Sequence, residues 1–103
     1  LAVISDFLRP GFKLARLTGA GPDGQLTHGP AKAIDGRLEP KHRLLVQANG
    51  EQVSTVARLF VAPRPCTVGD LIVHGSRTYR VAAVDEVPGL VEVDHLVLWL
   101  EGG

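Results

Sequence analysis

Residues 68–84 carry the clearest structural signal in the chain: Val68-Gly69-Asp70-Leu71-Ile72-Val73-His74-Gly75-Ser76-Arg77-Thr78-Tyr79-Arg80-Val81-Ala82-Ala83-Val84. Two runs rich in β-branched residues flank the turn His74-Gly75-Ser76-Arg77, whose tip is Gly75, and such runs are typical of a hairpin. Gly69-Asp70 makes a tight entry into the first run. We predict a β-hairpin here, with Tyr79, Val81 and Ala83 on one face of its second strand.

A second hairpin is predicted around Asn49-Gly50. This dipeptide tolerates the positive φ angles of a type I′ turn. The strand before it is residues 43–48, with Leu44, Val46 and Ala48 on one face. The return strand is residues 53–61, whose odd-numbered residues, Val53 to Val61, share a face until Pro63 and Pro65 end the pairing.

Two further strands complete the prediction, Phe12–Leu17 and Leu90–Leu100. The last is apolar on both faces from Leu96 onward, which is typical of a strand that closes a barrel or pairs with another subunit. No segment sustains a helical apolar period, and turn residues recur at short intervals. This pattern is typical of a small β-barrel or sandwich, and we predict an all-β protein, a small β-barrel forming a single domain over residues 1–103.

The stretch from Thr18 to Pro40 is rich in Gly and Pro and poor in large apolar residues. From this composition we predict a long, flexible inter-strand loop. Loops of this length are uncommon in compact domains and tend to be functional or disordered. Residues 19–24 match G-x-G-x-x-G, but the residues that follow them cannot sustain the helix that a dinucleotide site requires. The match is interpreted as loop.

The net charge is zero, but residues 1–84 carry eleven Lys/Arg against six Asp/Glu, and the remainder carries only acids. Asp85, Glu86, Glu92 and Asp94 form most of this acidic end. A solvated strand end explains it, and so does a head-to-tail interface in which these residues meet a basic face of the next copy.

Enzyme and cofactor chemistry find no support in the residues. Cys66 is the only cysteine, which excludes an internal disulfide and a cysteine-based zinc site and favours assembly in a reducing cytoplasm. No catalytic constellation is recognisable around the histidines or the paired acids, so we expect neither an enzyme nor a cofactor or metal. The chain shows no secretory signal and no run of about 20 apolar residues, so we expect no membrane contact.

The two hairpins together resemble a known family. The elements that carry the resemblance are Ala57-Arg58-Leu59-Phe60-Val61, the Pro-containing break, Val68-Gly69-Asp70-Leu71-Ile72, Gly75, and Thr78-Tyr79-Arg80-Val81, with Asp35-Gly36-Arg37 upstream and Asp94-His95-Leu96-Val97-Leu98 as a closing strand. From Phe12 onward the chain is similar to the head-completion, or stopper, proteins of long-tailed bacteriophages, also described as minor capsid or head–tail connector proteins.

The resemblance implies a β-barrel subunit of a neck ring of six or twelve copies, located in the virion and assembled in the host cytoplasm. Its partners would be the portal or adaptor protein, a tail-terminator or tail-tube protein, and double-stranded DNA held non-specifically in the channel. By position, the long loop would reach the channel or a neighbour through His28, Lys32, Arg37 and Lys41, and Asp85, Glu86, Glu92 and Asp94 would lie at a subunit interface.

Two alternatives remain open. The chain could be the tail-terminator protein of the same neck. It could also be a free-standing SH3-like or OB-like barrel that binds nucleic acid or a peptide, although its basic run, Lys32 to Arg43, is diluted by acids and its few aromatics lie in apolar contexts.

Overall fold

Every regular element in the computed structural model, which describes residues 8–90 and 93–102, is a β-strand. Six strands close into an antiparallel barrel in the order β1-β4-β5-β8-β7-β6, and β2 and β3 form a separate two-stranded sheet. The prediction of a small all-β barrel is confirmed. The strands are β1 Arg9–Ala15, β2 Leu17–Ala20, β3 Leu26–His28, β4 Lys32–Val46, β5 Gln52–Val61, β6 Leu71–His74, β7 Arg77–Pro88 and β8 Val93–Gly102.

The hairpin predicted from residues 68–84 is β6 and β7. Its strands pair from Leu71 with Arg80 to His74 with Arg77. Gly75, with φ +61°, is the one turn residue with a positive φ, which is the pattern of a type II′ turn. The prediction that Tyr79, Val81 and Ala83 share one face is wrong for Ala83, because the register shifts between Val81 and Ala83. Tyr79 and Val81 point into the barrel, but the bulge turns Ala83 outward, opposite Trp99.

The hairpin predicted at Asn49-Gly50 is also confirmed, as β4 and β5, but its turn differs from the predicted type I′. Only Gly50 has a positive φ, +84°, and its N–H donates to the carbonyl of Gln47 at 2.9 Å. The N–H of Gln47 donates to Glu51, which makes a three-residue loop ending in a left-handed glycine. Of the predicted faces, the one containing Thr55 and Leu59 lies inside the barrel, and the one containing Leu44 is exposed.

The prediction of a long loop from Thr18 to Pro40 is wrong. This stretch forms β2, β3 and the first part of β4. β2 and β3 pair with each other, whereas β4 pairs with β1 and β5 from outside the stretch. Gly36 illustrates why a glycine there does not interrupt a strand. Gly36 is buried in β4, where an added Cβ would lie 2.7 Å from Cδ1 of Leu59. A larger residue would not fit, so this glycine is a packing requirement of the barrel.

The core fills the barrel with apolar side chains from all six strands. Leu59, Ile72, Leu98 and Leu100 have no exposed surface. As predicted, β8 is buried on both faces from Leu96 to Leu100. It lies between β5 and β7, however, and the barrel closes where β1 pairs with β6. The core cluster comprises Phe12, Leu14, Ile34, Leu59, Val61, Ile72, Tyr79, Val81, Leu96, Leu98 and Leu100.

Truncating Leu59 tests the position of the core. Leu59→Ala should lower the free energy of unfolding by about 2–5 kcal/mol, because it leaves a cavity among fully buried neighbours. Leu44→Ala removes the same atoms from a side chain that is 58% exposed and should change stability by about 0.5 kcal/mol at most. Urea unfolding of both variants measures the difference, and equal losses would contradict the assignment of the barrel interior.

Candidate functional site

One end of the barrel, which we call the cleft end, gathers the polar features of interest. The C-terminal ends of β1, β5 and β7 and the N-terminal ends of β4, β6 and β8 lie at this end. The β2–β3 hairpin follows β1 directly, and the segment 62–70 connects β5 to β6. Residues distant in sequence therefore meet at this end.

The carboxylate of Asp70 organises the cleft end. Asp70 has no exposed surface, yet it accepts backbone hydrogen bonds from Leu17 at 2.8 Å and from Thr67 at 2.9 Å. Nε of Arg16 lies 3.0 Å from its Oδ2, as an ion pair without an aligned hydrogen bond. Buried carboxylates are tolerated only when paired and hydrogen-bonded in this way. Asp70 thus ties the β1–β2 junction to the β5–β6 connection.

The neighbouring Gly69 reinforces this junction. Its φ of +98° favours glycine, and an added Cβ would lie 2.9 Å from Cδ2 of Leu17, which would then have to shift. Its carbonyl accepts a hydrogen bond from Nε2 of His28 at 2.8 Å, so His28 carries its proton on that nitrogen. His28 therefore anchors the β2–β3 hairpin to the barrel.

The thiol of Cys66 lies beside this network. Burial, and after it the negative charge of Asp70, raises the pKa of Cys66 to about 12. The thiol is therefore protonated throughout the neutral range and is a poor nucleophile.

A cleft of about 470 Å³ opens at this end of the barrel, lined by Arg16, the ion-pair partner of Asp70. Its floor includes the core residues Leu14 and Ile34, and its cationic side chains are Arg16, Lys32 and Arg64. Strand alternation explains the arrangement: Leu14 pairs with Lys32, so the inward-facing row of β4 ends in a lysine where the barrel opens to solvent. The cleft therefore has an apolar floor and a basic rim, which suits an anionic ligand with an apolar part.

The β7–β8 hairpin carries acidic side chains at the same end of the molecule. Asp85 and Glu86 are exposed on β7, and the side chain of Asp94 is 51% exposed. Asp85 accepts a hydrogen bond from Nε1 of Trp99 at 2.8 Å, and Oδ2 of Asp94 lies within hydrogen-bond distance, 2.7 Å, of Nδ1 of His95. Of the predicted interface residues, these three lie on one hairpin, with Asp85 and Glu86 on opposite faces of β7; Glu92 lies outside the described residues.

The basic cleft and the acidic hairpin lie on opposite walls of the barrel. In the closed order, the β1–β4 pair stands diametrically across from the β8–β7 pair. Both features belong to the cleft end, because β4 begins there with Lys32 and β8 begins there before Leu96. The cations of the cleft and the acids of the hairpin are therefore separated across the width of the barrel.

The four residues predicted to lie on a channel loop are not brought together. His28 ends β3 and is half-buried against Gly69, and Lys32 begins β4 at the cleft. Arg37 is exposed further along β4, opposite Phe60. Lys41 is exposed beyond it, at the register shift where its carbonyl accepts a hydrogen bond from the Thr55 hydroxyl at 3.0 Å. Because the predicted loop forms strands instead, Lys32, Arg37 and Lys41 are spread along β4, and His28 lies on β3.

Arg16, Arg64 and Asp70 were not predicted as a group. The alternation of Phe12, Leu14 and Arg16 indicated only that Arg16 continues the inward-facing row of β1. Nothing local indicated that residue 70 would meet residues 16 and 17, since those contacts depend on the pairing of β1 with β6.

Within the described part of the chain, no group of three His, Cys, Asp or Glu side chains is placed to hold a metal ion. No helix there is long and apolar enough to cross a membrane. No protein-family model matches the chain, and no curated protein matches its sequence.

Neutralising Asp70 tests its role at the junction. Asp70→Asn should destabilise the protein by about 2–4 kcal/mol, because it removes the charge opposite Arg16 and turns an amide donor toward another donor. Asp35→Asn, on an exposed strand position, is the matched control and should change stability by about 0.5 kcal/mol at most. Urea unfolding measures both; equal effects would show that the buried carboxylate is dispensable.

The raised pKa of Cys66 predicts slow thiol chemistry. At pH 8 the thiolate fraction should be about a thousandfold smaller than that of a thiol with the ordinary pKa of 9.0. The rate of reaction with a disulfide reagent should stay low in the folded protein and rise sharply in urea. A folded protein that reacts as fast as the unfolded chain would disprove the burial and charge assigned to this thiol.

Proposed function

We propose that this chain is a structural subunit of the neck ring of a tailed bacteriophage, which closes the DNA-filled head and joins the portal or adaptor to the tail. The role is mechanical, without catalysis. The closed β-barrel agrees with the fold that the resemblance to head-completion proteins implies.

The observation that carries the proposal is the position of the two charged surfaces. A ring of identical subunits needs two different, complementary surfaces on opposite sides of each subunit. Lys32 and Arg64 line the cleft on one wall, and Asp85, Glu86 and Asp94 lie on the other, at the same end of the barrel. Complementary charge of this kind steers association and sets register.

The β2–β3 hairpin takes the place of the long loop in this proposal. Residues 22–27, at its tip, are exposed. They are the part of this region that a neighbouring protein or the packaged DNA can reach, while His28 holds the base of the hairpin against the barrel.

A second candidate is a free-standing small barrel that binds a nucleic acid. The feature that favours it is the cleft with three cationic side chains, since lysine and arginine contacts to phosphates dominate such binding. This role predicts a monomer whose affinity for DNA or RNA falls steeply with salt. The tail-terminator role belongs to the same neck and predicts the same ring geometry.

Deleting the gene from a phage that encodes this chain tests the proposal. Electron microscopy of the lysate should show heads that have lost their DNA together with finished, unattached tails. Expression of the wild-type gene from a plasmid is the control and should restore full, tailed particles.

Full, tailed and infectious particles from the deletion strain would disprove a role in the neck. Full heads that keep their DNA beside tails of abnormal length would instead indicate the tail-terminator function. Each outcome separates the neck roles from the nucleic-acid-binding barrel, which predicts no defect in head completion.

A further inference from the structure

We infer that the basic cleft of one copy receives the acidic end of the β7–β8 hairpin of the next copy, and that this contact is the lateral interface of the oligomer. The inference rests on the proposed ring function, and it names the surfaces that would form the ring. Its occupant is a second copy of this chain, held by carboxylates against cations.

The cleft offers cations that the subunit itself leaves unpaired. Asp70 is the ion-pair partner of Arg16. Lys32 is exposed and Arg64 donates only to the carbonyl of Ala62, at 3.4 Å, so neither has a carboxylate partner within residues 8–90 and 93–102. Two cationic side chains are therefore available to an incoming anionic group.

The floor of the cleft adds an apolar requirement. Leu14, Ile34 and Pro65 line it, and the first two belong to the barrel core. A free inorganic anion would leave this apolar surface uncovered. A peptide segment that presents acids beside an apolar side chain would satisfy both parts of the cleft.

The end of the β7–β8 hairpin has this composition. Glu86 is exposed and has no ion-pair or hydrogen-bond partner in the part of the chain described, and Asp94 is half-exposed. Leu90, just after β7, is fully exposed. Burying this leucine against another subunit would remove apolar surface from water.

The two surfaces are separated within one copy. The strand order places the hairpin and the cleft on opposite walls of the closed barrel, and neither Lys32 nor Arg64 forms an ion pair within the described residues. A contact between two copies therefore uses two different surfaces, and it leaves a free hairpin on one copy and a free cleft on the other. Repetition of such a heterologous contact produces a ring when the rotation closes.

Carbodiimide cross-linking between isotope-labelled copies tests the contact directly. The reagent couples a lysine amine to a carboxylate that touches it, and the chain has only three lysines, Lys13, Lys32 and Lys41. An equal mixture of ¹⁴N and ¹⁵N protein should give mixed-isotope cross-links from Lys32 to Asp85, Glu86 or Asp94. Lys13 and Lys41 lie outside the cleft and serve as internal controls.

Two charge-reversed variants give the second measurement. Lys32→Glu with Arg64→Glu makes the cleft acidic, and Glu86→Lys with Asp94→Lys makes the hairpin basic. Each variant alone should lose these cross-links at least about tenfold, because it lacks the amine or carboxylates that couple and brings like charges face to face. A mixture of the two should recover them, because every contact in an alternating oligomer is again between opposite charges.

Recovery in the mixture also demonstrates that both variants fold. Arg16, Asp70 and Asp85 are left unchanged, because they hold the cleft end and Trp99 in place. Lys41→Glu with Arg77→Glu is the matched control, with the same change of charge at exposed positions outside the cleft, and should leave cross-linking unchanged.

Three outcomes would overturn the inference. Oligomers cross-linked through Lys13 or Lys41, and unaffected by the reversals, would leave the ring proposal standing but place its interface elsewhere. A protein that yields no mixed-isotope cross-links at any concentration would disprove the contact. The gene deletion would still test the neck function separately. A monomer that binds duplex DNA through Lys32 and Arg64 would assign the cleft to nucleic acid.

Discussion

The buried carboxylate of Asp70 is the interaction on which the cleft end of the barrel depends. A carboxylate without exposed surface is costly unless hydrogen bonds and a positive charge surround it. Here the backbone N–H groups of Leu17 and Thr67 and the guanidinium of Arg16 supply them. Satisfying one group therefore fixes the end of β1, the start of β2 and the entry to β6, which are far apart in the sequence.

The position of this junction decides which surfaces the barrel can present. With Arg16 drawn toward Asp70, the cleft beside it keeps Lys32 and Arg64 as its available cations. The closed strand order then places the acidic β7–β8 hairpin on the far wall. The cations of the cleft and the acids of the hairpin thus lie on opposite sides of the subunit, and this links the fold to the proposed assembly.

The outer surface of β8 shows a different solution to burying a large aromatic residue. Trp99 faces away from the core but is only 6% exposed, because Arg43 and Arg58 lie over its ring at 4.8 and 5.8 Å from its centroid. Asp85 accepts its indole N–H, and Glu39 balances Arg58. Cation–π stacking thus lets β8 be apolar on both faces without a second protein layer. The apolar pattern of β8 alone would have been equally compatible with a subunit interface.

The sequence by itself determined the strands whose signals are local. Turn glycines at 50 and 75 and the alternation in residues 53–61 and 71–81 were sufficient to predict two hairpins and an all-β barrel, because turn geometry and side-chain alternation depend on neighbouring residues only. Within the stretch 18–40, the β4 part could not be predicted in this way, because Gly36 and the residues around it pair with β1 and β5 from outside the stretch. The β2–β3 pairing is local, but its strands are short and its residues are Gly-rich. The cleft was likewise decided by tertiary structure, since Arg16, Lys32, Arg64 and Asp70 become neighbours only when the barrel closes between β1 and β6.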